Sequence, residues 1–190
     1  MALRSPTVAG RRRFEALYVE HYAAIRDYVT RRLANTPDEV PDVVAQVFTV
    51  AWRRLNAVPG GDEARLWLYG VARRAVADHE RTRRRRSRLI RRLTSEARAR
   101  PLSSGRPSPD RDGVIEAIER LPDGDREALR LVLWEGCSHA EAAGLLGCSV
   151  HAVALRLSKA RSRLRADPLI AAQLRGLDSE AEPALDTRRR

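Results

Sequence analysis

The stretch SHAEAAGLLGCSVHAVALRLSKARSRLR, residues 138–165, narrows the possible folds more than any other part of the chain. Ser138 followed three residues later by Glu141 makes a capping box: the hydroxyl and the carboxylate satisfy two backbone N–H groups of a helix start. A short apolar run then reaches Leu146, Gly147 stops it, and Ser149 caps a second helix predicted to reach Arg165. Two helices joined by a short glycine-containing turn form a helix-turn-helix, and the second is free to lie in a DNA major groove. At about 100° per residue, Val150, Val153, Leu157, Ala160 and Leu164 make an inward stripe. The outward side carries His151, Ala152, Leu155, Ser158, Lys159, Ser162 and Arg163. An outward leucine suits a thymine methyl, although lone exposed apolar residues are common on any surface. Arg156, Lys159, Arg161, Arg163 and Arg165 favour the helix C-terminus whatever they bind, so their charge alone decides little.

The rest of the chain also reads as helical, with no period-two alternation long enough for a strand. Residues 114–120 form a helix that stops at Leu121-Pro122, and Asp123 or Asp125 is expected to cap the next one, which runs to Glu135 and closes at Gly136. In the first half, Phe14, Leu17, Tyr18, His21, Ile25, Tyr28, Val29 and Leu33 recur at steps of three and four, and Asn35-Thr36-Pro37 ends that helix. Pro41 then opens DVVAQVFTVAWRRL, with Val44, Val47, Phe48 and Ala51 on one side. After a turn at residues 58–61, another helix runs from about Glu63 past Arg81. The expected fold is therefore all-α: two small helical domains joined by a flexible basic linker.

Charge locates that linker. The 190 residues hold 36 basic and 25 acidic side chains, a net charge of +11, and Lys159 is the one lysine. So strong an Arg bias reflects a GC-rich genome as much as guanidinium chemistry, which makes position the better evidence. Residues 85–113 carry nine basic against three acidic residues and end in Pro, Ser and Gly, the composition of an extended tether or a solvated loop. Residues 1–13 form a basic extension, 14–84 and 114–165 the two domains, and 166–190 a tail. A chain this basic meets a polyanion, either nucleic acid or an anionic membrane surface. No stretch of 18 apolar residues could span a bilayer. The first 13 residues contain no apolar run of the kind that marks a secretory signal, so a cytoplasmic protein is expected.

At this point a family resemblance becomes specific. VIEAIERLPDGDREALRLVLWEGCSHAEAAGLLGCSVHAVALRLSKARSRLR resembles region 4 of bacterial RNA polymerase sigma factors. FEALYVEHYAAIRDYVTRRL, DVVAQVFTVAWRRL and ARLWLYGVARRAVADHERTRRRR resemble region 2 of the same family. The order of the two segments and the linker length match the extracytoplasmic-function (ECF) group. The resemblance implies a dissociable initiation factor, with core RNA polymerase (clamp and flap surfaces), promoter DNA and, in some members, an anti-sigma factor as partners. It implies neither a cofactor nor a catalytic residue. Asp42, Gln46 and Arg53 would be polar contacts to the polymerase, with Phe48 and Trp52 packing beside them. Arg74, Asp78, Arg81 and Arg84 would meet the −10 element, and residues 56–63 correspond to the segment that captures a flipped base. His139, Ser149, His151, Leu155, Arg156, Ser158, Lys159 and Arg161 would meet the −35 element. The chain departs from the family's usual residues at Gln46 (commonly an acid), Arg74 (commonly Asn) and His139-Ala140 (commonly Tyr-Glu).

Other readings remain open on residues alone. Cys137, His139, Cys148 and His151 surround the turn, but their spacing is not that of a zinc site, and buried free cysteine is the commoner case. Trp52, Trp67 and Trp134 each lie among apolar neighbours and are read as core. A metal-dependent nuclease would need clustered carboxylates, for which Asp42, Asp62 and Asp78 are the candidates. A stand-alone helix-turn-helix repressor or activator would bind duplex DNA tightly without polymerase.

Overall fold

The computed structural model describes residues 7–34, 36–93 and 109–167, and divides the chain into two compact units, Met1–Ser103 and Ser104–Arg190. The extension before residue 7, the linker residues 94–108 and the tail beyond 167 lie outside the described residues. Among those described, every regular element is helical.

The first unit packs α1 (Val8–Arg32), α2 (Val40–Arg53) and α3 (Glu63–Leu93) pairwise against one another. The Thr7 hydroxyl caps α1 by accepting from the Gly10 amide at 3.2 Å. One face of α1, formed by Leu17, His21, Ile25, Tyr28 and Val29, is buried. A single 3₁₀ turn at Pro37–Glu39 leads into α2, which buries Val40, Val43, Val44, Val47, Phe48 and Ala51. Pro41 falls in the first turn of α2, where its missing N–H costs nothing. Tyr28 of α1 stacks on Tyr69 of α3 at 5.1 Å, and both rings are buried. The Arg13 guanidinium donates to the Val58 carbonyl at 2.6 Å and ties α1 to the turn between α2 and α3. The apolar face of α3 comprises Ala64, Leu68, Tyr69, Val71, Ala72, Ala75 and Val76. It ends there, and every residue from 81 to 88 is exposed.

The second unit comprises α4 (Pro109–Glu119), α5 (Asp123–Leu133), α6 (His139–Leu146) and α7 (Val150–Ala166). Ala117, Ile118, Leu121, Ala128, Leu129, Leu131, Cys137, Ala142, Ala143, Val153, Leu157 and Ala160 make its core. Two ion pairs sit at the edge of this core: Arg130 with Glu119, and Arg163 of α7 with Asp125 of α5.

Four sequence expectations need correction here. The expected tether of residues 85–113 is helical at both ends: α3 continues to Leu93, and α4 begins at Pro109 rather than residue 114, because proline suits the first helical position. Neither Asp123 nor Asp125 caps α5; Pro122 is the N-cap, with no side-chain cap bond. Asp125 instead lies within the first turn, buried against Arg163, and Asp123 pairs with Arg126. Val150, expected on the inward stripe, is 48% exposed, because the first residue of α7 projects past the turn and nothing packs over it. Trp134, expected in the core, is 38% exposed at the C-cap of α5, where the Arg130 guanidinium lies 5.8 Å from its ring.

Candidate nucleic-acid interface

The helix-turn-helix is built as its residues dictate. The Ser138 hydroxyl accepts from the Glu141 amide at 3.2 Å, and the Glu141 carboxylate accepts from the Ser138 amide at 2.7 Å. Gly147 ends α6 in the left-handed conformation at φ +65°, which a side chain would strain. The Ser149 hydroxyl accepts from the Ala152 amide at 3.1 Å and starts α7. Val153, Leu157 and Ala160 hold α7 against the unit, which sets the rotation of its outer side.

That rotation exposes His151, Leu155, Ser158, Lys159 and Arg161 together on α7, with Leu155 at 47% exposure. Ser149 is exposed at the N-cap and His139 at the start of α6. Arg156 is placed differently. It is half-buried, its Nη1 lies 3.6 Å from Cys148 Sγ, and its Nε would stand 3.5 Å from a Cβ on Gly124. Arg163, on the expected outer side, reaches sideways to Asp125 and locks α7 to α5. Cys137 is buried and Cys148 half-buried, and both are free thiols.

The candidate residues on α2 separate onto two sides. Asp42, Gln46 and Arg53 are exposed along one edge. Phe48 is buried and Trp52 half-buried on the other side, against α1: Phe14 meets Trp52 edge-on at 4.8 Å, and Tyr18 meets Phe48 at 4.7 Å. On α3, Arg74, Asp78, Arg81 and Arg84 are all exposed. Asp78 pairs with Arg81 at 3.0 Å, and Glu80 with Arg84 at 3.7 Å. An open groove of about 400 Å³ between α2 and α3 brings Gln46 and Arg53 together with Arg74 and Asp78. Trp67 and Arg54 also line it. The sequence marks neither as a surface residue. Trp67 reads as core from its apolar neighbours, and Arg54 joins the groove only once the turn between the helices is folded.

Glu39 and His79 connect the start of α2 to α3. The His79 Nε2 and Glu39 Oε2 atoms lie 2.6 Å apart. The bond from His79 holds the Glu39 carboxyl below its ordinary value near 4.5, with Thr36 and the charges of His79 and Arg83 acting the same way and burial opposing them.

Comparison with known proteins gives this geometry a family. Residues 111–164 match the Sigma-70, region 4 family. The RNA polymerase sigma factor NccH of Alcaligenes xylosoxydans xylosoxydans is 30% identical over 161 residues, which span 80% of this chain and 85% of that protein. The chain belongs to the ECF group of RNA polymerase sigma factors. The solved structure of the sigma factor CnrH in complex with the cytosolic domain of CnrY covers 90% of this sigma factor and 91% of CnrH, at 25% identity and a TM-score of 0.55. The sigma factor RpoE of Bartonella quintana, solved with the anti-sigma factor NepR, shares the fold at a TM-score of 0.64 and 24% identity, over 80% of this chain and 94% of RpoE. As a sigma factor the protein acts in transcription initiation. No single described helix is long and apolar enough to cross a membrane.

Proposed function

We propose that this sigma factor works without chemistry of its own, as a cytoplasmic subunit that joins core RNA polymerase and directs it to a subset of promoters. Residues 14–84 would dock on the polymerase clamp and take the −10 element, residues 114–165 would hold the −35 duplex, and the linker between α3 and α4 would tether the two. One observation carries this reading. A capped helix-turn-helix with an exposed recognition side shares a chain with a second helical unit whose α2 presents Asp42, Gln46 and Arg53 along an exposed edge.

The division of labour follows from the chemistry of each set. Asp42, Gln46 and Arg53 offer polar contacts to a protein partner, and the Phe48 and Trp52 rings, packed on α1, fix the rotation of that edge. Arg74, Asp78, Arg81 and Arg84 present mixed charge along α3 toward a strand being separated. Binding the single-stranded state more tightly than the duplex offsets the cost of unstacking, about a few kcal/mol per flipped base. On α7, Leu155 reads a base edge, Ser158, Lys159 and Arg161 contact backbone or bases, and His139, Ser149 and His151 approach from the helix starts. Arg156 supports the turn through Cys148 and reaches DNA only by leaving that contact. An anti-sigma factor is an expected partner, because RpoE was solved with the anti-sigma factor NepR, and CnrH with the cytosolic domain of CnrY.

Asp42→Arg tests the assignment of α2. Asp42 is exposed, so reversing its charge leaves the core intact. The variant should retain its helical circular dichroism and lose co-purification with core polymerase. Wild-type recovery of polymerase would show that this edge is not the docking surface.

A further inference from the structure

α7 carries Arg156, Lys159, Arg161, Arg163 and Arg165 and no acidic residue. Elsewhere in the second unit, Arg120, Arg126 and Arg130 each reach a carboxylate, and Arg163 reaches Asp125. Lys159, Arg161 and Arg165 differ. All three are exposed, and none forms an ion pair among the described residues. Arg161 and Arg165, four residues apart, repel each other. At about 100° per residue, Lys159 falls on one flank of the exposed Leu155, and Arg161 and Arg165 fall on the other. The outer side of α7 is thus an apolar centre bordered by cations that no carboxylate of the folded unit satisfies.

A candidate counter-charge lies in the same chain. Asp167, at the C-cap of α7, is extended at φ −73° and ψ 126°, as the residue before Pro168 prefers, so the chain leaves the helical path there. Its carboxylate is held by Arg120 at 2.8 Å, which fixes the point of departure. Further on, residues 176–187, GLDSEAEPALDT, contain Asp178, Glu180, Glu182 and Asp186 and no cation. Asp178, Glu180 and Glu182 fall at every second position, so an extended chain would present them on one side about 7 Å apart. That is a row of evenly spaced negative charges, as a DNA strand is. The stretch from Asp167 to Asp178 spans up to about 36 Å when extended, whereas α7 with its 17 residues is about 25 Å long. The acidic residues therefore reach every cation on α7.

We propose that residues 178–186 fold back along the exposed side of α7 as an acidic latch. Their carboxylates pair with Lys159, Arg161 and Arg165 and compete with the −35 duplex for the same face. The latch rests on the reading of α7 as the −35 face and adds its regulation. Tethering to the end of α7 gives the acidic residues an effective concentration in the range of about millimolar, so weak and salt-screened ion pairs suffice. A latch closed about nine-tenths of the time lowers the apparent DNA affinity of the face about tenfold.

Lys159 is the one lysine of the chain, which permits a direct test. Carbodiimide joins a carboxylate to an adjacent amine with loss of water, and besides the α-amino group one amine is available. In the full-length chain at low salt, mass spectrometry of the monomer should find Lys159 coupled to Asp178, Glu180, Glu182 or Asp186. The coupling should vanish at about 1 M salt, where the screening length is about 3 Å. Full-length chain carrying Asp178→Asn, Glu180→Gln, Glu182→Gln and Asp186→Asn should bind a labelled random-sequence duplex about tenfold more tightly than wild type, without polymerase and at about 50 mM salt. A control with Glu15→Gln, Asp38→Asn, Asp62→Asn and Glu63→Gln removes as much charge from exposed positions of the first unit and should gain much less. Coupling of Lys159 only to carboxylates within residues 7–167, or only between two copies, overturns the latch whatever the affinities. Coupling to the acidic residues with a gain no larger than the control's overturns the reading of α7 as the DNA face, and the competition with it.

Discussion

Leu155 and Lys159 sit one turn apart on the exposed side of α7 and differ in what they can recognise. Leu155 has no polar group, so in the proposed −35 contact it would offer apolar contact to a thymine methyl. Leu155→Ala should relax preference at one −35 position by about 1 kcal/mol or less. Lys159 is a point charge on a flexible stem suited to phosphate. Lys159→Ala should weaken all promoters alike and lower the salt slope by about 1. Transcription from randomised −35 libraries at two salt concentrations separates the two effects. If Leu155→Ala leaves the selected −35 sequence unchanged, α7 meets DNA through another side. Arg156 marks the limit of reading such residues from sequence. Helical periodicity places it near the DNA-facing side, but its length lets it fold back to Cys148 and Gly124, and periodicity carries no information about that choice.

Within the first unit, the Glu39–His79 bond joins the 3₁₀ turn before α2 to the middle of α3, and its effect on stability has a definite sign. The folded state holds the Glu39 carboxyl below its ordinary value near 4.5. Below that value the unfolded chain binds more protons, so stability falls as pH falls through the folded value. In urea titrations followed by NMR signals of α1–α3, the wild type should lose stability on acidification below about pH 4.5 more steeply than Glu39→Gln. Parallel acid profiles would show that the bond contributes nothing to folding. At this scale the sequence is most informative where local chemistry is self-sufficient. The Ser138–Glu141 box, Gly147 and the Ser149 cap fix the boundaries of α6 and α7 through contacts no more than a turn apart. Elements whose limits depend on distant partners are less legible. Asp125 looks like a cap until Arg163 arrives from α7, and Trp134 looks like core until α5 ends beneath it. The candidate polymerase edge is affected in the same way. Asp42, Gln46 and Arg53 share a side at helical spacing and Phe48 and Trp52 fall on another, yet only the folded α1 shows what the two rings pack against.

Across the whole molecule, the net charge of +11 is spread unevenly, and α3 shows one consequence. Its first half is held by apolar packing that includes Val76, and residues 81–88 are exposed and arginine-rich. One helix thus begins as part of a protein core and carries exposed cationic side chains further along. The two recognition units lie on either side of a basic stretch in the sequence, so affinity for a promoter depends on engaging both of its elements at once. The free chain should discriminate poorly between promoter and random duplex. Transcription reconstituted from purified core polymerase, this sigma factor and a fragmented library of its own genome tests that dependence most directly. Start sites should appear at a limited set of fragments only when both proteins are present, and the free sigma factor should bind those fragments no better than the rest. Tight, sequence-specific duplex binding by the free chain, with no start sites when polymerase is added, would contradict this and identify a stand-alone DNA-binding regulator.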